Sequence, residues 1–486
     1  MLNSVVIGLE VHIELNTKSK MFCACANNSS AEKPNINICP ICLGHPGTLP
    51  VINKKAVEKT LKTGLALNCQ IPEYSQFDRK SYFYPDLPKG YQISQQEAPL
   101  CQNGFFELGE ERIRIRRIHL EEDAGKLIHL TNQNYSLVDF NRAGVPLMEL
   151  VTEPDLKSAL AARQFTEELR TILRYLDVSK AEMEKGEMRV DANISLSSSW
   201  QKKDGVRIEI KNLNSFKMIE RALNYEIERQ RNLLKRGEKI IQETRGWDDE
   251  RGETFSKRSK EESDDYRYFP EPDLPILRLK GESPFLELEK LQATISELPK
   301  ERKRRFQKEY LLSDKEASFL VDNKEWGDYY EKVVNELSNG LKVVVDQKEK
   351  SELARLAVNY ILSDLRGLLK ESSDEIPIIP ENLAKLIILI QKGEISNVIA
   401  KIVLKEMVER GGEPSHIIDK RGLTELKDQS EIEAIIQEIV QNNIKAVRDY
   451  QKGKSASLQF LLGQVMVKTK GRVNPELITE MIKKRL

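Results

Sequence analysis

Four cysteines form the most compact chemical signal in this 486-residue chain. Cys23-x-Cys25 is followed, after 13 residues, by Cys39-x-x-Cys42, with Pro40 and Gly44 shaping the second turn. Four soft sulfur ligands satisfy tetrahedral Zn2+ and leave no open position, so the expected role is a structural zinc knuckle over 23–42. Reduced core thiols and redox use are the alternatives that the spacing leaves open. Cys69 and Cys101 are isolated and read as core.

A second signal lies in strands with one unusually polar face. In Gly8–Leu15, period 2 puts Glu10, His12 and Glu14 on one face and Leu9, Val11, Ile13 and Leu15 on the other. In Met188–Leu196, Arg189, Asp191, Asn193 and Ser195 share a face. In Val206–Lys211, Arg207, Glu209 and Lys211 do the same. Any one of these strands alone reads as ordinary half-exposed sheet. Their neighbours add carboxylates: Glu121-Glu122-Asp123 before a glycine turn, then Asp139-Phe140-Asn141-Arg142, then Met148-Glu149. Gathering unpaired carboxylates in one cleft is costly. Divalent cations remove that cost, and hard oxygen ligands favour Mg2+ with a nucleotide phosphate as shared ligand.

The third signal is Phe77-Asp78-Arg79-Lys80-Ser81-Tyr82-Phe83-Tyr84-Pro85-Asp86-Leu87-Pro88-Lys89-Gly90-Tyr91. Its rings have apolar bodies and polar tips, and Lys80 and Lys89 suit a phosphate or a developing oxyanion. A purely structural aromatic loop is the alternative. Asp264–Asp273 is a similar loop.

These residues need elements to hold them. Alternating segments at Val5–Leu15, Arg112–Leu120, Met188–Leu196 and Val206–Lys211 read as strands. Helices are expected over about Asp155–Asp177 and from an Asn214-Ser215 cap to Gly237, with Phe216, Ile219, Leu223 and Ile227 on one face. Strands and helices in this irregular order indicate α+β, a mixed or antiparallel-sheet cradle, rather than a doubly wound sheet. After Pro272-Asp273-Leu274-Pro275 the pattern turns helical, and Gly411-Gly412-Glu413-Pro414 marks a second break. The expected division is a cradle domain over 1–290, a helical domain over 291–410 and a small helical tail over 411–486.

Composition sets outer limits. Lys plus Arg and Asp plus Glu each number 76, so the net charge is zero. With 40% apolar residues the chain can build cores and is not wholly disordered. No run approaches the ~18 apolar residues of a membrane span. The first residues lack a basic segment followed by a long apolar one, so a cytoplasmic location is expected. From Gln441 to Leu486, ten basic and three acidic residues leave 10 − 3 = +7. Such an end suits a polyanion such as nucleic acid, or is a solvated lysine-rich surface. There is no Gly-x-x-x-x-Gly-Lys-Ser/Thr, Gly-x-Gly-x-x-Gly or Gly-x-Ser-x-Gly. Phe255-Ser256-Lys257-Arg258-Ser259-Lys260 imitates a synthetase loop but has no upstream signature, and is taken as coincidence.

Taken together, Gly8-Leu9-Glu10-Val11-His12, Phe77-Asp78-Arg79-Lys80 through Tyr84-Pro85-Asp86, and His119-Leu120-Glu121-Glu122-Asp123-Ala124-Gly125-Lys126 resemble the B subunit of the tRNA-dependent amidotransferase GatCAB. So do Pro146-Leu147-Met148-Glu149, Arg189-Val190-Asp191-Ala192-Asn193, Glu209 through Phe216, Gln242-Glu243-Thr244-Arg245, Asp265 through Pro270, and Gly463-Gln464-Val465-Met466 with Asn474-Pro475. The resemblance spans nearly the whole chain. It implies ATP-dependent phosphorylation of the side-chain carboxylate of Glu-tRNA(Gln) or Asp-tRNA(Asn), then displacement of the phosphate by ammonia. The implied partners are an amidase A subunit, which releases ammonia from glutamine, and a small C subunit. The resemblance places Mg2+ on Glu10, His12, Glu122 and Glu149, with Glu121 and Asp191 as further candidates. It makes Glu10, Lys211 and Asn212 nucleotide contacts, and Lys80, Lys89, Arg189 and Lys211 contacts to phosphate or to the aminoacyl carboxylate. Lys80, Tyr82, Asp86, Lys89, Tyr91 and Glu122 would line the ammonia exit. The cysteine knuckle matches a variant within the family, and the basic tail would contact the tRNA body.

Overall fold

A computed structural model describes residues 4–130, 133–197, 205–259, 266–281, 284–340, 347–369, 376–423, 429–469, 472–473 and 475–486. Lys260, Asp264, Asp265, Lys470 and Asn474, which belong to segments singled out above, lie outside these residues. The chain divides into two compact units, Met1–Leu298 and Pro299–Leu486.

The first unit is α+β. Its elements run β1 (Ser4–Glu14), α1 (Lys54–Ala66), β2 (Tyr74–Ser75), β3 (Asp78–Ser81), β4 (Tyr91–Ser94), β5 (Cys101–Leu108) and β6 (Glu111–Glu122). The hairpin β7 (Lys126–His129) and β8 (Ser136–Asp139) follows, then β9 (Pro146–Thr152), α2 (Ala159–Tyr175), β10 (Met188–Ser197) and β11 (Ile208–Leu213). The unit ends with α3 (Phe216–Lys235), β12 (Glu243–Asp248), β13 (Glu253–Ser259), β14 (Phe269–Pro270), β15 (Leu277–Arg278) and α4 (Leu288–Ala293). Eight strands form one sheet in the order β13-β12-β11-β10-β1-β9-β6-β5. All its neighbours are antiparallel except β11 and β12. All four long strands expected from alternation are present.

The alternation has a packing cause. Val5, Ile7, Leu9, Val11 and Ile13 of β1 join Val190, Ala192, Ile194, Ile208 and Ile210 in one apolar core. Helices α1 and α2 bring Leu61 and Phe165 into that core, and α3 brings Ile219 and Leu223. Ser215 caps α3 by accepting from Met218 N at 3.1 Å, and Gly237 beyond its end has φ 73°, a value glycine adopts without strain. Phe216 is only partly buried and packs at the core's edge. The polar residues of the same strands are left on the opposite face. Beside the main sheet, β14-β3-β4 form a small sheet in which Phe269 pairs with Arg79. The two aromatic loops noticed in the sequence are thereby joined, and Arg79 grips the buried Glu271 through bonds of 2.7 and 2.8 Å.

The second unit is helical, as expected. It opens with α5 (Pro299–Glu309), α6 (Asp314–Asp322), α7 (Lys324–Gly340) and α8 (Gln347–Asn359). Tyr330 of α7 is fully buried, meets Phe306 and Tyr310 edge-on, and donates to Ala354 O. Beyond residue 429, helices Gln429–Asn442, Ser455–Lys468 and Pro475–Arg485 share a separate core of Ile432, Ile436, Leu461, Val465, Ile478 and Ile482.

Helix α1 lies very close to β5. A Cβ on Gly64 would overlap Cys101 Sγ and sit 2.9 Å from its Cβ. Both groups are in a packed core, so neither can retreat cheaply. Gly64→Ala is expected to destabilise the first unit by about 1–3 kcal/mol. An unchanged denaturant midpoint would show that the contact is softer than its geometry.

Candidate active site and cysteine knuckle

The polar face of the large sheet carries two clusters, both set by cross-strand register. His12 of β1 lies opposite Glu149 of β9, and His119 of β6 lies opposite Glu149 from the other side. His12 Nε2 is 3.5 Å from Glu149 Oε2 and 3.9 Å from Glu121 Oε1. His119 Nε2 is 3.3 Å from the same Glu149 oxygen. One ligand atom each from His12, Glu121 and Glu149 lies within 4.8 Å of the others. Burial works against a charged His12 ring, but the bond to Glu149 and the charges of Glu149 and Glu121 outweigh it and push His12 up to about 9. Burial likewise opposes a charged Glu149, yet His119 and His12 hold its carboxyl well below the usual range.

The second cluster is Glu10, Asp191 and Glu209, again within 4.8 Å. Glu10 lies opposite Asp191 in the β1–β10 pair. Burial raises the Glu10 carboxyl above its ordinary value, and Glu149 and Glu209 raise it further. Lys211 Nζ is 3.5 Å from Asp191 and 3.3 Å from Glu209. Thr244 Oγ1 donates to Glu209 at 2.8 Å. A register shift between the Val190 and Ala192 pairs bulges β11 there, and Asn212 takes φ 63°. Its backbone N–H then donates to Asp191 Oδ1 at 2.9 Å. Asn193 Nδ2 donates to Glu10 at 2.9 Å, while its buried Oδ1 finds no partner among the described residues.

Both clusters have the donor chemistry of a hard divalent cation: carboxylate oxygens, one imidazole and, beside the second, an unused amide oxygen. Their mutual repulsion, visible at Glu10, is what a cation would relieve. Lys80 sits between the rings of Tyr266 at 4.6 Å and Tyr82 at 5.9 Å. Burial disfavours its charge, but Glu121 is the largest of the influences that keep it raised. Arg189 is bound to Asp123 at 2.6 Å, and Arg142 lies 3.5 Å from the same carboxylate.

The structure brings Glu10, His12, Glu121, Glu149 and Asp191 to one face, as the sequence patterns suggest, and adds Glu209 and His119. It does not bring Glu122 there. Consecutive residues of a strand point to opposite faces. Glu121 therefore joins His12, while Glu122 turns to the other side and takes Lys89 Nζ and Ile93 N (3.0 Å). Of the residues grouped as an exit, Lys89, Tyr91 and Glu122 line one cavity of about 230 Å3. Lys80 and Tyr82 stand with Tyr266 instead, and Asp86 holds Gly125 N through its backbone oxygen at 2.8 Å. Glu209 was visible in the sequence as a polar-face residue and the start of a longer motif, and His119 only inside a longer motif. Register against neighbouring strands is what gives them a place.

The four cysteines converge, each offering a sulfur within 4.8 Å of the others. Cys39 N donates to Cys42 Sγ at 3.2 Å, closing the turn between the second pair of thiols. Cys23, Cys39 and backbone groups favour a Cys42 thiolate and pull it down to about 5 against the cost of burial. Four convergent thiols of this kind fit a tetrahedral soft-metal site such as zinc. Cys39→Ser is expected to abolish stoichiometric zinc, measured by elemental analysis, and to lower the melting temperature by several degrees. Unchanged metal content and melting would sink the assignment.

Comparison with known proteins agrees with this geometry. Residues 5–283 match the family described as the GatB/GatE catalytic domain, and residues 342–486 match one described as the GatB domain. Similar proteins include the B subunit of the aspartyl/glutamyl-tRNA(Asn/Gln) amidotransferase of Carboxydothermus hydrogenoformans, 46% identical over 99% of this chain and 98% of its own. The proteins of that name from Thermomicrobium roseum and Thermotoga maritima are 47% and 46% identical over the same shares. This chain belongs to the GatB family of tRNA-dependent amidotransferase subunits.

Proposed function

We propose that this chain amidates the side-chain carboxylate of a misacylated tRNA, Glu-tRNA(Gln) or Asp-tRNA(Asn), after phosphorylating it from ATP. The observation that carries this reading is the pair of carboxylate clusters side by side on one sheet face. A carboxylate is a poor electrophile because ammonia would have to expel an oxide; a phosphate is a better leaving group. Phosphoryl transfer demands mainly positioning and charge neutralisation. Mg2+ held by His12, Glu121 and Glu149, and by Glu10, Asp191 and Glu209, would supply that neutralisation. Lys211, between the second cluster's carboxylates, is placed to hold phosphate, and the Asn212 backbone sets its neighbour Asp191. Lys80, framed by Tyr82 and Tyr266 and drawn by the charge of Glu121, is placed for the aminoacyl carboxylate. Arg189 orients Asp123.

Ammonia, generated from glutamine by an amidase partner, would enter through the cavity behind the sheet, past Lys89, Tyr91 and Glu122. Glu122, adjacent in sequence to Glu121, is the carboxylate placed to take a proton from ammonium before attack. A small third subunit, a cytoplasmic location and the division at residues 290 and 410 complete the proposal. No described helix is long and apolar enough to cross a membrane. In the tail, Lys445, Arg448, Lys452, Lys454, Lys468, Lys483, Lys484 and Arg485 are all exposed, which supports contact with tRNA.

The deciding experiment reconstitutes the chain with candidate amidase and small subunits and supplies each charged tRNA in turn. ADP formed together with the amide is the expected result. AMP would indicate adenylation, and no nucleotide turnover a scaffold. Glu149→Gln, which keeps shape but loses the charge shared by two histidines, is expected to lower the amidation rate by about a hundredfold or more. tRNA binding by filter retention should be unaffected. Lys483→Glu with Lys484→Glu should weaken tRNA binding and reduce its logarithmic salt slope by about two units, one per lysine. A slope equal to wild type would remove the tail from the interface.

A further inference from the structure

The cysteine knuckle and the Lys89–Glu122 pair share the cavity of about 230 Å3, whose walls include Phe22, Cys23, Cys42, Gly44, Lys89 and Glu122. Their contact is tight. A Cβ on Gly44 would lie 2.6 Å from Lys89 Cγ, 3.1 Å from its Cα and 3.2 Å from its N. Gly44 has φ 67° and closes the knuckle turn, donating to Ile41 O at 3.0 Å, two residues from Cys42. Lys89 is also stacked over Phe22 at 5.9 Å, the residue before Cys23. Both halves of the knuckle therefore touch this one lysine.

The knuckle is itself fixed from behind. Lys20 is 1% exposed, and it donates to Asn37 O at 2.7 Å and Phe140 O at 3.2 Å. Its Nζ lies 3.8 Å from Cys42 Sγ. No carboxylate lies within ion-pair distance of Lys20 among the described residues. Four thiolates around a divalent metal carry a net charge of −2, so a loaded knuckle is the anion this buried ammonium faces. Met21 N donates to Gly144 O at 2.7 Å, tying the same segment to the turn before β9.

We propose that the cysteine knuckle is the positioning wall of the Lys89–Glu122 cavity: its Gly44 turn, shaped by metal-loaded thiolates and anchored by Lys20, presses Lys89 onto Glu122. Gly44 is a positioning residue and touches no substrate. The inference rests on the reading of this cavity as the ammonia route. An empty knuckle would let the turn relax, free Lys89 and uncouple ammonia supply from the sheet face, while the carboxylate clusters on the opposite face stay intact.

The test has two arms. In the reconstituted complex, amidation is driven either by glutamine or by added ammonium chloride. Gly44→Ala should lower the glutamine-driven rate at least about tenfold relative to the ammonium-driven rate, with zinc content at the wild-type level. Gly109→Ala is the control, because Gly109 also has positive φ (60°), a Cβ added there would meet nothing within 4 Å, and it does not line the cavity. It should keep the wild-type ratio. In the second arm, zinc is chelated from the wild-type chain and Lys89 acetylation by a water-soluble ester is read by peptide mass spectrometry. The expected result is a several-fold rise at Lys89, whose side chain is 13% exposed when packed. An equal shift in both glycine variants, no shift in Gly44→Ala, or unchanged Lys89 labelling after chelation would overturn the proposal. If the wild-type complex used neither nitrogen source, the functional reading would fail, and the labelling arm would still decide whether the knuckle positions Lys89.

Discussion

Strand β1 lies between β9 and β10 in a single register, with His12 opposite Glu149 and Glu10 opposite Asp191. Every ligand group on the sheet face depends on that register. A slip of one residue would turn Glu10 and His12 into the apolar core and Leu9 and Val11 out of it. The core therefore enforces the chemistry. Val5, Ile7, Leu9, Val11 and Ile13 cannot be wetted without losing the burial that holds the sheet together. The geometry of these clusters is set by paired strands of the central sheet rather than by a loop.

The same pleat divides two tasks between neighbours in sequence. Glu121 faces His12, and Glu122 faces Lys89. One strand thus separates a cluster of carboxylates and histidines from a cavity that holds a buried ion pair. The two carboxylates are adjacent along the chain, yet they work in different surroundings.

Much of this was legible in the sequence. Alternation in Val5–Leu15 and Met188–Leu196 gave both the strands and the polar faces, because a half-buried sheet imposes period 2. The Ser215 cap and Gly237 bounded α3, because helix ends must satisfy their orphan groups. The four cysteines announced their own convergence. What alternation cannot supply is which strand lies beside which. That is why Glu209 and His119 had no role until β11 and β6 were placed, and why Glu122 was grouped with carboxylates from which its side chain points away. The cluster around Glu10 also needed the β11 bulge, and a single backbone angle at Asn212 has no signature in residue type alone.

The buried Lys20 has a consequence for how this protein can be altered. Replacing the four cysteines with neutral residues would leave an ammonium enclosed by two carbonyl oxygens and no anion at all. A cysteine-free version of this segment is therefore a five-position problem. The lysine has to leave with the thiols, and whatever enters must still hold Asn37 and Phe140 together.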